Sequence, residues 1–525
     1  MATAKTSGNG TSTQTLTSFN PRTGEIRGQI PVTPVAEVPM VVERARKMAP
    51  EWAAIGPAGR ARMMREVRHR VHDRLDDIVE TVSAECGKPR PEALAHDVLP
   101  VVTLLMYLEK IVEKALRPQK VGRLMGPLAG VSSKVEWRPF GVVGAITPWN
   151  YPMSNSFLAF VPALLAGNTV VIKPSEVTPA CGELLRELLE PLPPSVATVI
   201  QGGGDLGAAL VDAPVDKISF IGSPATGRRI CEAAAKHLTP VVMELGGKDA
   251  ALVLSDADLD RTASGIAWGA FFNAGQTCCS IERVYVADEV ADAFQEKLLS
   301  KLSQVKQGDE VGTLTFKRQY EIVERHVSDA VSKGATLLAG GPEAGKKNEN
   351  GSLWYAPTVL SNVNEDMDVI KEETFGPVLT ITRVRDDEEA VQRANADGVN
   401  LTASVWTNDT KRAERLGEKL RAGTVTSNLH GETAAAPWGP WGGVGESGFG
   451  RLNGELGIRE FAVPTHIAST PMVSLGRTWW FPYDEATQKA LRGMVDVMAA
   501  PTVSQKMAGV RAIAANGLKA MKGKF

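Results

Sequence analysis

The chain has 525 residues, of which 43% are hydrophobic and 22% charged, enough apolar mass for two or three lobes with real cores. Lys and Arg total 58 against 60 for Asp and Glu, so a formal charge of −2 gives the body no electrostatic reason to bind nucleic acid. Five cysteines, without CxxC spacing or a nearby His cluster, point away from a disulfide framework and a metal site and toward a reducing, cytoplasmic setting.

In chain order, residues 1–19 are rich in Ser, Thr and Gly with Lys5 as the only charge, which predicts a disordered arm rather than a secretory or transit peptide. The body is expected to start at the turn cluster Asn20-Pro21-Arg22-Thr23-Gly24 and to continue through covering helices over 36–49 and 57–86. Polar and apolar residues alternate over 121–138, which together with 461–472 reads as projecting strands that would pair with another subunit.

From Gly141 the pattern changes to short β-prone runs (141–147, 168–173, 196–201, 217–222, 240–245, 250–254) separated by helix-length segments. This alternation predicts an α/β fold with a parallel sheet covered on both faces. A second α/β lobe is expected after Cys278, with strands near 283–286, 377–384 and 402–406. The expected organisation is a cofactor domain over 20–120 and 139–246, a catalytic domain over 247–460, and a C-terminal extension over 473–525.

The chemistry-bearing residues sit in turns. Thr147-Pro148-Trp149-Asn150 leaves a strand ending near Ile146, and the Asn amide is suited to face a developing negative charge. Lys173-Pro174-Ser175-Glu176 ends the next strand at the carboxyl rim where open parallel sheets bind ligands. Gly222-Ser223 with Gly227 closes a strand and opens a helix, a cradle for a pyrophosphate although not the GxGxxG spacing. Glu244-Leu245-Gly246-Gly247 precedes Gly275-Gln276-Thr277-Cys278 by about one supersecondary unit, with Glu244 lying 34 residues before Cys278. Taken alone, each motif has a plain structural reading as a turn or an inert buried cysteine.

Together and in this order, with Glu373-Thr374-Phe375-Gly376-Pro377 and Pro440-Trp441-Gly442-Gly443 added, they resemble the aldehyde dehydrogenase superfamily from about Asn20 to Pro471. The resemblance implies a Rossmann-like cofactor domain, a second α/β catalytic domain and an oligomerisation arm, with a homodimer or homotetramer as the assembly. It implies that Cys278 attacks an aldehyde, Glu244 is the base, and the Asn150 amide with the Cys278 N–H holds the oxyanion. Cys279 is left with a packing role.

The same resemblance assigns cofactor contacts to Ile146, Thr147, Pro148, Trp149, Lys173, Ser175, Glu176, Gly207, Gly222, Ser223, Gly227, Leu245, Glu373 and Phe375. A carboxylate at Glu176 would accept from ribose hydroxyls and repel a 2′-phosphate, favouring NAD over NADP. Members that pass the acyl group to coenzyme A generally lack the glutamate at Glu244, so a free acid product is expected rather than a coenzyme A thioester.

Arg283 and the C-terminal segment are similar to an actinobacterial branch that includes succinic semialdehyde dehydrogenases. The arginines that some members use to hold an acidic substrate are replaced here by Leu158 and Phe272, so these two and Trp268 are expected to line a pocket for an apolar or aromatic aldehyde. Beyond Leu475, Met507, Val510, Ala514, Leu518, Met521 and Phe525 recur at helical spacing amid Lys506, Arg511, Lys519, Lys522 and Lys524. That pattern fits an interfacial helix with a peripheral membrane contact over 476–525, or a helix docked on protein.

Overall fold

The computed structural model describes residues 14–121, 131–396, 398–470, 477–522 and 524. They fall into two compact units, one formed by the chain up to Leu116 and from Pro139 to Ala462, the other by Arg117–Arg138 and Val463 onward.

The first unit contains two mainly parallel sheets. One has six strands in the order Gly448–Phe449, Val241–Leu245, Lys217–Gly222, Val142–Ile146, Thr169–Lys173, Ala197–Val199. Its five longer members are parallel, and the short Gly448–Phe449 strand joins antiparallel at the edge. These parallel strands are almost continuous runs of buried apolar residues, as a sheet covered on both faces requires. The chain runs outward in opposite directions from Val142–Ile146, so the topological switch lies between that strand and Lys217–Gly222. Ligands of open α/β sheets bind beyond the carboxyl ends at such a switch.

The second sheet has seven strands in the order Thr336–Gly341, Ala356–Ser361, Val378–Val384, Ile281–Ala287, Asp249–Val253, Thr402–Trp406, Thr424–Ser427. All pairings are parallel except the one between the first two. The chain passes from one sheet to the other at Gly246–Lys248, and Gly448–Phe449 returns to the first sheet from within the stretch expected to be catalytic domain. Each sheet has its own core: Val38, Val42, Val142, Val171, Leu206 and Ile218 in one, Val253, Ile266, Phe271, Ile281, Val284 and Phe294 in the other.

Two expectations need correction. Thr15–Phe19 is a strand, paired antiparallel with Ile26–Pro31 around the Asn20–Gly24 turn, not part of a disordered arm; its β-branched and aromatic residues and the positive φ of Gly24 favour a hairpin. Residues 1–13 lie outside the described residues. The expected helix over 57–86 is two helices, Gly56–Asp73 and Leu75–Cys86, separated at Arg74.

In the second unit, Ala462–Ser469, Ser132–Pro139 and Gln119–Lys120 form a three-stranded sheet in that order. Residues 122–130 and 471–476 of the expected strands lie outside the described residues. Helices Glu485–Ala499 and Val503–Met521 pack on each other through small residues, and a Cβ on Gly509 would stand 2.6 Å from the Gly493 carbonyl oxygen. The second of these helices opens with a capping box between Thr502 and Gln505.

Candidate active site

The loop that delivers Cys278 is unusual in its backbone. Helix Leu259–Phe271 ends against Phe272, and Asn273, Ala274 and Gly275 follow with φ of 52°, 54° and 69°. Three successive left-handed residues, two with a Cβ, are costly and persist only where the surroundings impose them. Here Glu92 accepts the Asn273 N–H at 2.9 Å, and the Asn273 amide donates to the carbonyls of Asn150 and Gln276. Gly275 is pressed on the Gly376 carbonyl, where a Cβ would come to 2.0 Å.

Glycines also bring three motifs together. A Cβ on Gly247 would lie 2.3 Å from the Cys278 carbonyl oxygen, and one on Gly246 would lie 2.2 Å from the Glu373 carboxylate. Glu373 in turn accepts the Gly247 N–H at 3.1 Å. The loop after Val241–Leu245 therefore threads between the cysteine turn and the Glu373 turn, with room for hydrogen alone at both positions.

Asn150 is buried and held from several sides. Its amide donates to the Gln276 carbonyl at 3.1 Å, its side-chain oxygen accepts from Asn155 at 3.1 Å, and its backbone carbonyl accepts from Lys88 at 2.7 Å. Lys88 is fully buried and paired with Asp97 at 2.8 Å, while Asp97 also accepts the Met153 N–H. A buried charge pair of this kind is tolerated because each partner has further hydrogen bonds.

Glu244 is 3% exposed, accepts the Trp441 indole N–H at 3.0 Å, and is in hydrogen-bonding contact with Cys278. Burial raises its pKa to about 7, against the pull of the Trp441 and Cys278 bonds. The Cys278 thiol is pushed well above its ordinary range by its hydrogen bond with Cys279, by burial and by the Glu244 carboxylate. A thiol beside a carboxylate that titrates near neutrality has an acceptor for its proton within the same buried site.

Cys278 lies at the wall between two cavities. The first, of about 330 Å³, is lined by His96, Leu99, Pro100, Leu104, Tyr151, Leu158, Trp268, Phe272, Ala434, Pro437 and Trp441 among others. Trp268 and Phe272 stack with centroids 4.5 Å apart, and His96 stands 5.5 Å from Phe272. Burial lowers the His96 pKa to about 4, with the Lys88 charge adding to the effect, so its imidazole is neutral at ordinary pH. Among the described residues, neither Lys nor Arg lines this cavity, and the one acid that does is Glu432.

The second cavity, of about 250 Å³, lies at the topological switch and is lined by Pro148, Trp149, Asn150, Asn155, Ile221, Gly222, Ser223, Glu244, Leu245, Gly246, Cys278, Gln319, Ile322, Glu373 and Phe375. Trp149 and Phe375 meet edge to face at 5.4 Å. A buried carboxylate (Glu373), a glycine floor and flat aromatics suit a ribose with an attached aromatic ring. Burial, with the Glu282 charge next, lifts the Glu373 pKa well above the usual carboxylate range.

Of the sequence-predicted cofactor residues, Pro148, Trp149, Gly222, Ser223, Leu245, Glu373 and Phe375 line this second cavity, while Ile146, Thr147, Lys173, Ser175, Glu176, Gly207 and Gly227 stand outside its lining. Lys173 and Glu176 form an ion pair at 2.7 Å at the strand end, which offsets the negative charge expected to discriminate between cofactors. Ser223 caps helix Pro224–Ala235 by accepting the Thr226 N–H. Gly227 is set by packing, since a Cβ there would meet Leu245 at 2.8 Å. Leu158, Trp268 and Phe272 all line the first cavity.

Arg283 serves structure: it is 3% exposed and donates to the Lys248 carbonyl beneath the glycine loop. The sequence reading did not anticipate His96, Leu99, Leu104, the Lys88–Asp97 pair or the bond from Trp441 to Glu244. The Pro148-Trp149-Asn150 signal pointed at Asn150, but nothing in residue spacing pointed to the groups that hold it.

Residues 9–467 match the model of the aldehyde dehydrogenase family. The chain is similar to the 4,4'-diapolycopene aldehyde oxidase of Methylomonas sp., with 36% identity over 488 residues, 92% of this chain and 91% of that one. It is also similar to a Mycobacterium ulcerans protein provisionally named succinate-semialdehyde dehydrogenase [NADP(+)] 2, with 37% identity over 86% of this chain and 88% of that one. Among solved structures, PnpE of Pseudomonas sp. WBC-3 in complex with nicotinamide adenine dinucleotide matches with a TM-score of 0.83 and 32% identity, over 87% of this chain and 94% of that one. The NAD+ complex of aldehyde dehydrogenase from Bacillus cereus matches at 0.82 with 30% identity, over 87% and 93%.

Proposed function

The chain belongs to the aldehyde dehydrogenase family and is an NAD(P)-dependent oxidoreductase of the aldehyde group, and from that premise we propose that it converts an apolar or aromatic aldehyde to the free acid through a thioester on Cys278. The observation that carries this reading is the position of Cys278, shared by an apolar cavity and by the switch-point cavity, with the Glu244 carboxylate in contact.

The Cys278 sulfur bonds to the aldehyde carbon as its proton passes to Glu244. The carbonyl oxygen becomes an oxyanion, taken by the Asn150 amide and the Cys278 backbone N–H. When bound, NAD(P) supplies the hydride acceptor. Loss of hydride from the thiohemiacetal leaves the thioester. Glu244, having released the thiol's proton to solvent, takes a proton from water, whose oxygen adds to the thioester carbon; the carbon–sulfur bond breaks, Glu244 returns this proton to the leaving sulfur, and the acid departs as the cysteine is regenerated.

Pro148, Trp149, Ser223, Leu245, Glu373 and Phe375 would hold the nicotinamide half of the cofactor, and Lys173 and Glu176 the adenosine ribose. NAD is favoured by Glu176, although its pairing with Lys173 weakens the discrimination against a 2′-phosphate. The absence of Lys and Arg from the first cavity's lining argues against a substrate that carries its own carboxylate, since a buried anion without a cationic partner is costly. The Methylomonas relative acts, by its name, on an aldehyde of an apolar polyene, which suits such a cavity.

A homodimer or homotetramer is the assembly we favour, because Ala462–Ser469 is an edge strand with an open ladder side. The five free cysteines fit a cytoplasmic setting. The test is an aldehyde panel followed at the NADH absorbance with NAD and NADP, beside the Cys278→Ser protein. Oxidation of apolar and aromatic aldehydes that disappears in Cys278→Ser is the expected result; NADH formation that survives the substitution would overturn the proposal.

A further inference from the structure

We propose that helix Val503–Met521 is a membrane-surface anchor that seats the enzyme on an anionic lipid bilayer. The helix presents two different faces. Gly509, Ala512, Ile513 and Ala520 turn toward helix Glu485–Ala499, where a Cβ on Gly493 would lie 3.0 Å from the Ala512 Cβ and 3.2 Å from Ile513. This tight packing satisfies the helix's need for an intramolecular partner.

On the other side, Val503, Met507, Val510, Ala514 and Leu518 recur at spacings of three and four residues and form one stripe along the axis. Val503 is 77% exposed, Met507 50%, Val510 45% and Leu518 61%. Trp480, Phe481 and Tyr483, just before the helical pair, are exposed too, and aromatics of this kind are at home at a lipid headgroup boundary. Val495 and Met498 on the preceding helix add to the exposed apolar surface.

Charge identifies the occupant. From Arg477 to the end the chain carries eight Lys or Arg and three Asp or Glu, although the whole chain has a formal charge of −2. Lys506 flanks the stripe on one side, Arg511 and Lys522 on the other, and all three are exposed. The last acid in the sequence is Asp496, so the anchor helix itself has cations only. A second copy of this surface would set like charges against each other, whereas an anionic bilayer takes both the apolar stripe and its cationic borders. Among the described residues no helix is long and apolar enough to cross a membrane, so the contact is peripheral.

The test is co-sedimentation of the full chain with vesicles of phosphatidylcholine alone and of phosphatidylcholine with phosphatidylglycerol, at low and high salt. Pelleting with the anionic vesicles is expected, with weakening by salt and a drop of at least about tenfold in partitioning for Val503→Glu with Val510→Glu. Lys506→Gln with Arg511→Gln should bring binding down to the level seen with neutral vesicles. Circular dichroism and oxidation of a water-soluble aldehyde check that the variants are folded and active, independently of lipid binding. Pelleting no greater than in vesicle-free controls overturns the proposal. So does a Val503→Glu, Val510→Glu protein that keeps its vesicle binding, or one whose only change is a smaller assembly in sedimentation velocity, which would assign the stripe to a second copy.

Discussion

The Trp441 indole donates to the Glu244 carboxylate across 3.0 Å, tying the loop after the second sheet to strand Val241–Leu245 of the first. That bond stabilises the ionised carboxylate, and burial opposes it, with a net pKa of about 7. A raised carboxylate pKa means that the base form accumulates only as pH climbs through neutrality, so kcat should rise across that range. In Trp441→Phe the opposing hydrogen bond is gone, and the rising limb of the kcat profile should move to higher pH by roughly half to one unit. A profile that stays in place would separate Glu244 from the rate-determining proton transfer.

Asn150→Ala should lower kcat by roughly 10²–10³, the usual effect of losing one oxyanion donor, with a much smaller change in KM. The fold should survive, because Lys88 and Asn273 hold the backbone carbonyl of residue 150, not its side chain. Steady-state kinetics and thermal melting read the two effects separately.

Asp97→Ala tests that support from below. Removing the carboxylate leaves the Lys88 ammonium buried without its partner, at a cost of about 3–5 kcal/mol in denaturant unfolding. It also frees the Met153 N–H and loosens the turn carrying Asn150, so kcat should fall with it.

Much of this arrangement was legible in the residues. Alternation of apolar runs and helix-length segments marked the parallel strands, whereas Asn150, Glu244 and Cys278 were singled out only by the joint resemblance of several turn motifs to one family. What stayed hidden depends on contacts between distant segments. His96 enters the apolar cavity from a π-bulge at Leu94–Val98, and a one-residue widening of a helix leaves no periodic trace. Nothing in the sequence pairs Lys88 with Asp97, since burial of an ion pair cannot be told from spacing. Thr15–Phe19 was masked by a polar neighbourhood, and only its pairing with Ile26–Pro31 makes it a strand.

Leu158→Arg should shift specificity. It would place a guanidinium in a cavity whose lining holds no other cation, raise KM for apolar aldehydes by at least about tenfold and improve turnover of a semialdehyde that bears a carboxylate. An unchanged ratio of kcat/KM between the two substrate classes would remove this cavity from substrate selection.

His430 is buried, bonded through Nε2 to the Cys279 carbonyl, and its pKa is lowered to about 4 by burial. The unfolded chain takes up this proton near the ordinary value of 6.5, while the folded chain resists until about 4. Stability from this residue is therefore whole above 6.5 and declines as pH falls through that window, by on the order of 3 kcal/mol at its lower end. Denaturant melts of His430→Gln at a series of pH values should show a shallower decline than the parent protein.

A single sulfur forming the partition between two chambers separates two kinds of evolutionary change. On the proposed reading, substitutions that lengthen, widen or recharge the chamber walled by Leu158, Trp268 and Phe272 would act on the aldehyde tail without reaching the surfaces built from Pro148, Gly222 and Glu373. Relatives can then diverge in what they oxidise while keeping one way of oxidising it, and only residues facing both chambers, Asn155 and Cys278, must satisfy both demands at once.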